Sequence, residues 1–184
     1  MSSFLKEEKG ITLVELMITM AILVIVLAVG YSFDYYVSKS YTVASSQTEL
    51  QLKVRMATEL IKDKAHFADY MKILEDDSNV IGQLDQNYDQ AIYVEDGSLI
   101  YYKDGTATNF GNISDNVRLE IDFNELDEFF LSYNVRGHID GEQTYEISSE
   151  IQKNIEDYGP IVKDFGDENS TGKAVIFGFD DAEP

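Results

Sequence analysis

A single carboxylate sits where carboxylates are rarely found. From Ile11 to Val29 the chain runs through 19 residues of which only Glu15 is ionisable, with Thr12 and Thr19 as hydroxyl-bearing neighbours. Placing a charge in the middle of a membrane helix costs about 2.5–3.5 kcal/mol on insertion scales, so such residues usually have a role. The chemistry open to Glu15 is charge pairing. Burial disfavours its ionised form and a neighbouring ammonium favours it, so a cation brought into the same apolar surroundings would be held there.

Other residues invite a chemical reading and satisfy it less well. Asp85, Asn87 and Asp89 alternate as calcium ligands do, with Asp96 further on, but Gln90 occupies the place of the sharp-turn glycine. A solvated acidic loop is preferred over calcium there. Asp167, Asn169 and Thr171 begin a similar pattern that ends on Gly178 instead of an acid. Gly166 to Lys173 imitates a phosphate loop, yet its glycines are one residue too far apart and Ala174 stands where a magnesium-binding hydroxyl belongs. His66 and His138, the only histidines, share no metal-ligand or Ser/His/Asp-like pattern, and surface or packing roles are expected for them. No nucleophile–base pair stands out, so neither an enzyme nor a cofactor is expected.

The element that positions Glu15 is the apolar run itself. As a helix it would be roughly 28 Å long, close to the hydrocarbon thickness of a bilayer. Gly10 followed by Ile11-Thr12-Leu13-Val14-Glu15-Leu16 resembles the N-terminal processing motif of type IV pilins and pseudopilins. The resemblance implies cleavage by a prepilin peptidase between Gly10 and Ile11, methylation of the Ile11 amino group, and an assembly role for Glu15. Phe is the family's usual first mature residue, and Ile departs from it conservatively. The strict motif covers about seven residues, and the family-like helix reaches roughly residue 66. Many pilins carry a disulfide in the head; this chain has no cysteine, which also excludes thiolate metal sites and cysteine nucleophiles.

The chain has 34 acidic against 14 basic residues, a formal charge of −20, which argues against nucleic-acid or anionic-membrane binding by its bulk. A self-repelling extracellular surface explains it better than acidic-ligand chemistry. The leader, residues 1–10, balances Lys6 and Lys9 against Glu7 and Glu8, and no secretory-type cut follows the apolar run near Val29-Gly30-Tyr31. The run is therefore expected to remain as an anchor. Tyr31, Phe33, Tyr35 and Tyr36, just beyond it, suit an interfacial aromatic belt.

From Val37 the pattern becomes amphipathic. Val43, Leu50, Val54, Ala57, Ile61 and Ala65 fall at helical steps, while Lys39, Glu49, Lys53, Arg55, Glu59, Lys62 and Asp63 lie on other faces. One long helix is expected from Ile11 to His66, extended or restarted through Tyr70 to Leu74. Ala91–Glu95 and Ser98–Lys103 read as a hairpin around Asp96-Gly97. Alternation over Val117–Phe123, Phe129–Val135 and Tyr145–Ile151 predicts further strands, with a loop over Arg136–Glu142, and Ala174–Phe179 predicts a last one.

The expected fold class is α+β: a long N-terminal helix, apolar in its first half and amphipathic in its second, packed on an antiparallel β-sheet head, pilin-like. The expected divisions are a leader over 1–10, a transmembrane and filament-core half over 11–36, an amphipathic half over 37–74 and an extracellular head over 75–184. The resemblance implies a filament subunit, a minor pilin or pseudopilin of the W or J kind. It would lie in the cytoplasmic membrane before assembly and on the cell surface afterwards, and serve a type IV pilus or a related secretion or competence filament. Its implied partners are other pilin or pseudopilin subunits, the prepilin peptidase and the assembly machinery. The alternative is a membrane-anchored extracellular domain that binds a ligand or calcium and does not polymerise.

Overall fold

The structure, a computed structural model, describes residues 11–110, 117–139, 143–153, 160–164 and 171–179. Its helix α1 runs without a break from Leu13 to Phe67. Gly30 lies inside it, and the helix carries on through a residue that costs about 1 kcal/mol relative to alanine. The chain divides into two units, residues 1–45 and 46–184.

In the first unit every residue from 11 to 45 is exposed, including the whole apolar run. Its hydroxyls do not stand free. Thr19 Oγ1 donates to the Glu15 carbonyl at 2.7 Å and Ser32 Oγ to the Ala28 carbonyl at 2.8 Å, so each closes a bond within the helix. That is what a polar side chain in apolar surroundings requires. α1 is long and apolar enough there to cross a membrane.

In the second unit α1 buries Leu50, Val54, Ala57, Ile61 and Ala65, the stripe expected from their spacing. Val43, expected in the same stripe, is exposed, because it precedes the first buried helical residue, Leu50. Lys53, expected on a polar face, is buried like its neighbour Val54.

Beyond the helix the expectation fails at one point. Tyr70–Leu74 does not prolong or restart it but forms strand β1, with Met71, Ile73 and Leu74 buried. Nothing local forces that choice. Five consecutive pairs, Tyr70–Gly178 through Leu74–Ala174, bind it to a strand about a hundred residues later in the chain. A short 3₁₀ turn, Ile81–Gln83, follows.

β2 (Gln90–Glu95) and β3 (Ser98–Lys103) form the expected hairpin. Asp96 and Gly97 take φ of 51° and 77°, both positive as a type I′ turn demands. Asp104-Gly105 repeats the same values and returns the chain as β4 (Thr106–Phe110), a strand not anticipated although its turn dipeptide is equally plain. β5 (Val117–Asp127), β6 (Phe130–Ile139) and β7 (Gln143–Gln152) form an antiparallel meander. β8 (Val162–Lys163) pairs parallel with β1, and β9 is Ala174–Gly178.

The strands make two sheets, not one. One has six strands in the order β4-β3-β2-β9-β1-β8, the other three in the order β5-β6-β7. The six-stranded sheet is covered on both faces. Ile73, Ile92, Leu99, Val175 and Phe177 join the main core with α1 and the meander, while Leu74, Ala91, Tyr93, Ile100, Ala174 and Ile176 pack with Val80 in a second cluster. β9 lies between β2 and β1, so all five of its residues are buried.

Of Arg136–Glu142, expected as a loop, residues 136–139 belong to β6 with Gly137 inside it, and residues 140–142 lie outside the described residues. A Cβ at Gly137 would stand 2.7 Å from Val54 Cγ2 and 2.5 Å from Leu50 Cδ1. The glycine marks a close approach of helix and sheet rather than a turn.

Candidate functional site

The N-terminal turn of α1 places Thr12 and Glu15 on one side of the helix start. Thr12 donates its amide to Glu15 Oε2 at 2.9 Å and its hydroxyl to the same oxygen at 3.0 Å. Glu15 returns its amide to Thr12 Oγ1 at 3.3 Å. This reciprocal pair is a capping box, in which a hydroxyl residue and a glutamate three positions on satisfy each other's helix-terminal donors. The Thr-x-x-Glu spacing was present in the sequence, but attention to charge alone passes over it.

The box turns the Glu15 carboxylate back toward the helix N-terminus, where the helix dipole also favours a negative group. Ile11 is the residue immediately outside. Gly10 lies outside the described residues. An amine at Ile11 and the carboxylate of Glu15 are thus at the same end of the apolar helix. A cation brought to this end of the helix would meet the carboxylate and favour its charged form.

The other candidates do not come together. Asp85 spends Oδ1 on the amides of Asn87 at 2.7 Å and Tyr88 at 3.1 Å, the bonds of a tight turn. Asp89 immediately precedes β2, whereas Asp96 lies in the turn beyond its other end. The six residues of β2 separate Asp89 from Asp96, so of Asp85, Asn87, Asp89 and Asp96 the first three lie before that strand and the last lies in the hairpin turn after it. Among the described residues no three His, Cys, Asp or Glu side chains are gathered as a metal site.

His66 is exposed and meets Phe67 edge-on with ring centroids 4.8 Å apart. His138 Nε2 stands 3.6 Å from Glu120 Oε2 on the meander. Of the glycine-rich stretch, Gly172 and Lys173 turn out to matter for packing. Lys173 and Arg136 both reach the carboxylate of Asp122, whose side chain is 15% exposed. Burial raises the pKa of Asp122, but Lys173 and then Arg136 outweigh it and leave the carboxyl below its ordinary value.

Residues 5–31 match the family model described as the prokaryotic N-terminal methylation motif. The fold is similar to that of the PilB minor pilin from Streptococcus sanguinis, in two structures. With a point mutant of that protein the TM-score is 0.57 at 19% identity, over 75% of this chain and 36% of the other. With the unmutated protein it is 0.55 at 19% identity, over 77% and 36%.

This chain joins the N-terminal methylation motif to a fold similar to that of a minor pilin.

The pilin-like chain spans about a third of the length of the minor pilin it resembles. No curated protein matches it. The motif reaches into α1 as far as Tyr31 and includes Glu15, and the structural likeness extends over about three quarters of this chain.

Proposed function

We propose that this pilin-like chain is a minor subunit of a type IV pilus or of a related secretion or competence filament. The prepilin peptidase cuts it after Gly10, Ile11 becomes the methylated N-terminus, and the assembly machinery moves it from the cytoplasmic membrane into an extracellular filament. The observation that carries this reading is Glu15: the only ionisable side chain of the apolar run, held toward the helix N-terminus by Thr12, on a segment exposed on every side.

The mechanism is mechanical. Exposed apolar helices pack against one another in the filament core, held by van der Waals packing and, once out of the bilayer, by removal of their surface from water. The carboxylate of Glu15 meets the positive N-terminus of a neighbouring copy. A slipped register would leave two charges unpaired in apolar surroundings, which costs far more than a slipped apolar contact. The pair therefore sets axial position, a task a uniform apolar surface does poorly.

Two measurements test the proposal together. N-terminal mass spectrometry of membrane-extracted protein should find methylated Ile11 as the first residue; an intact Met1 or a start beyond Gly30 would remove the reading. Glu15→Ala should reduce recovery of the protein in sheared surface fibres, and undiminished recovery would reject the charge pair. The non-polymerising ligand-binding alternative draws no support from the acidic loop, whose carboxylates are scattered.

A further inference from the structure

The three-stranded sheet stops at β7. All ten β7 residues pair with β6 in unbroken register, from Gln143 opposite Ile139 to Gln152 opposite Phe130. Alternate backbone amides and carbonyls of β7 therefore point away from the sheet. Among the described residues no strand takes them.

Natural edge strands are usually shielded by proline, by lysine, by a bulge or by being short. β7 has none of these protections: its sequence, QTYEISSEIQ, runs for ten residues, against five for β4 at the edge of the larger sheet, and its only charges are two glutamates. Its two faces differ in chemistry. Tyr145 and Ile147 lie against the core but are only half buried, forming an apolar shelf that ends in the open. On the other face Thr144, Glu146, Ser148, Glu150 and Gln152 are exposed. No cation occurs between Ile139 and Lys153.

We infer that the outer edge of β7 docks an extended segment of a different chain whose residues alternate basic and apolar. Such a segment adds a fourth strand to the meander through main-chain hydrogen bonds. Its apolar side chains continue the Tyr145–Ile147 shelf, and its cations face Glu146 and Glu150, giving cross-strand pairs of opposite charge. A second copy is the poorer occupant. Two β7 edges would bring four glutamates together with no cation on either edge strand, although Arg136 on β6 lies opposite Glu146 and Asn134 donates to it, and the wider charge opposes it as well. The 67 residues through the end of α1 hold seven basic and seven acidic side chains, so the whole −20 belongs to the chain beyond. The inference does not depend on whether the chain polymerises.

The test is amide hydrogen exchange on the full-length protein in detergent micelles. The probe is a synthetic peptide of β7's length that alternates lysine and valine. Saturating peptide should slow every second amide of Gln143–Gln152 by about tenfold or more, while a peptide alternating glutamate and valine leaves them unchanged. In the Glu146→Lys/Glu150→Lys variant the preference should reverse. Three results would overturn the inference: no change in β7, slowing spread over the acidic head without the alternating pattern, or outer amides already slow in the free protein. The last would mean that the chain itself or a second copy covers the edge.

Discussion

Phe123 and Gly172 exchange two backbone hydrogen bonds, Phe123 N to Gly172 O at 2.9 Å and Gly172 N to Phe123 O at 2.8 Å. The contact is a single bridge between Phe123 in β5 and Gly172, which lies outside any strand, and it joins the meander to the segment that leads into β9. Beside it Lys173 donates its amide to the Leu74 carbonyl at 2.9 Å, so three distant parts of the head meet at two residues.

A side chain at Gly172 has no room. An added Cβ would come within 2.6 Å of the Leu74 carbonyl oxygen, which is backbone and cannot swing aside. Gly172→Ala should destabilise the head by about 1–3 kcal/mol, as overpacking does. Thermal unfolding followed by circular dichroism should show a lowered midpoint; an unchanged midpoint would mean that the bridge yields freely.

Gly137 tests the helix–sheet approach differently, because its neighbours are side chains. Gly137→Ala should also cost about 1–3 kcal/mol. Shortening Val54 to alanine beside it should recover part of that loss. Denaturant titrations of the two single variants and the double variant should therefore give a coupling of about 0.5–3 kcal/mol, and strict additivity would place the strain elsewhere.

Thr12 should matter through its hydroxyl. Thr12→Val removes one donor to Glu15 and the acceptor of the Glu15 amide, a loss of about 1 kcal/mol for a helix cap. Amide exchange at Glu15, measured in micelles, should quicken by about fivefold. Thr12→Ser keeps the hydroxyl and should restore the slow rate; equal rates in Val and Ser variants would show that the cap is not formed.

Asp122 makes part of the head's stability depend on pH. Its folded pKa lies below the ordinary 3.8, burial notwithstanding, because Lys173 and Arg136 favour the charged form. The folded state thus binds this proton less readily than the unfolded chain. Its contribution is complete above about pH 5 and is lost as pH falls below 3.8 through the lowered folded value. Asp122→Asn should be less stable than the parent at neutral pH, and the gap should close in acid. Urea midpoints at several pH values would check it, and a gap independent of pH would assign the loss to packing.

What the sequence determined by itself was local. Gly10 to Leu16 and the apolar run named the kind of helix, the steps from Leu50 to Ala65 named its buried stripe, and Asp96-Gly97 named a hairpin, because helical periodicity and turn dihedrals depend on residues a few positions apart. Even the capping box of Thr12 and Glu15 was written there. Only the tertiary structure decided that Tyr70–Leu74 is a strand, that β9 closes between β1 and β2, that Gly137 belongs inside a strand and that Asp96 stands apart from Asp89. Those outcomes rest on which strand finds which across about a hundred residues, and on burial that pairing creates; no short window of residues contains that information.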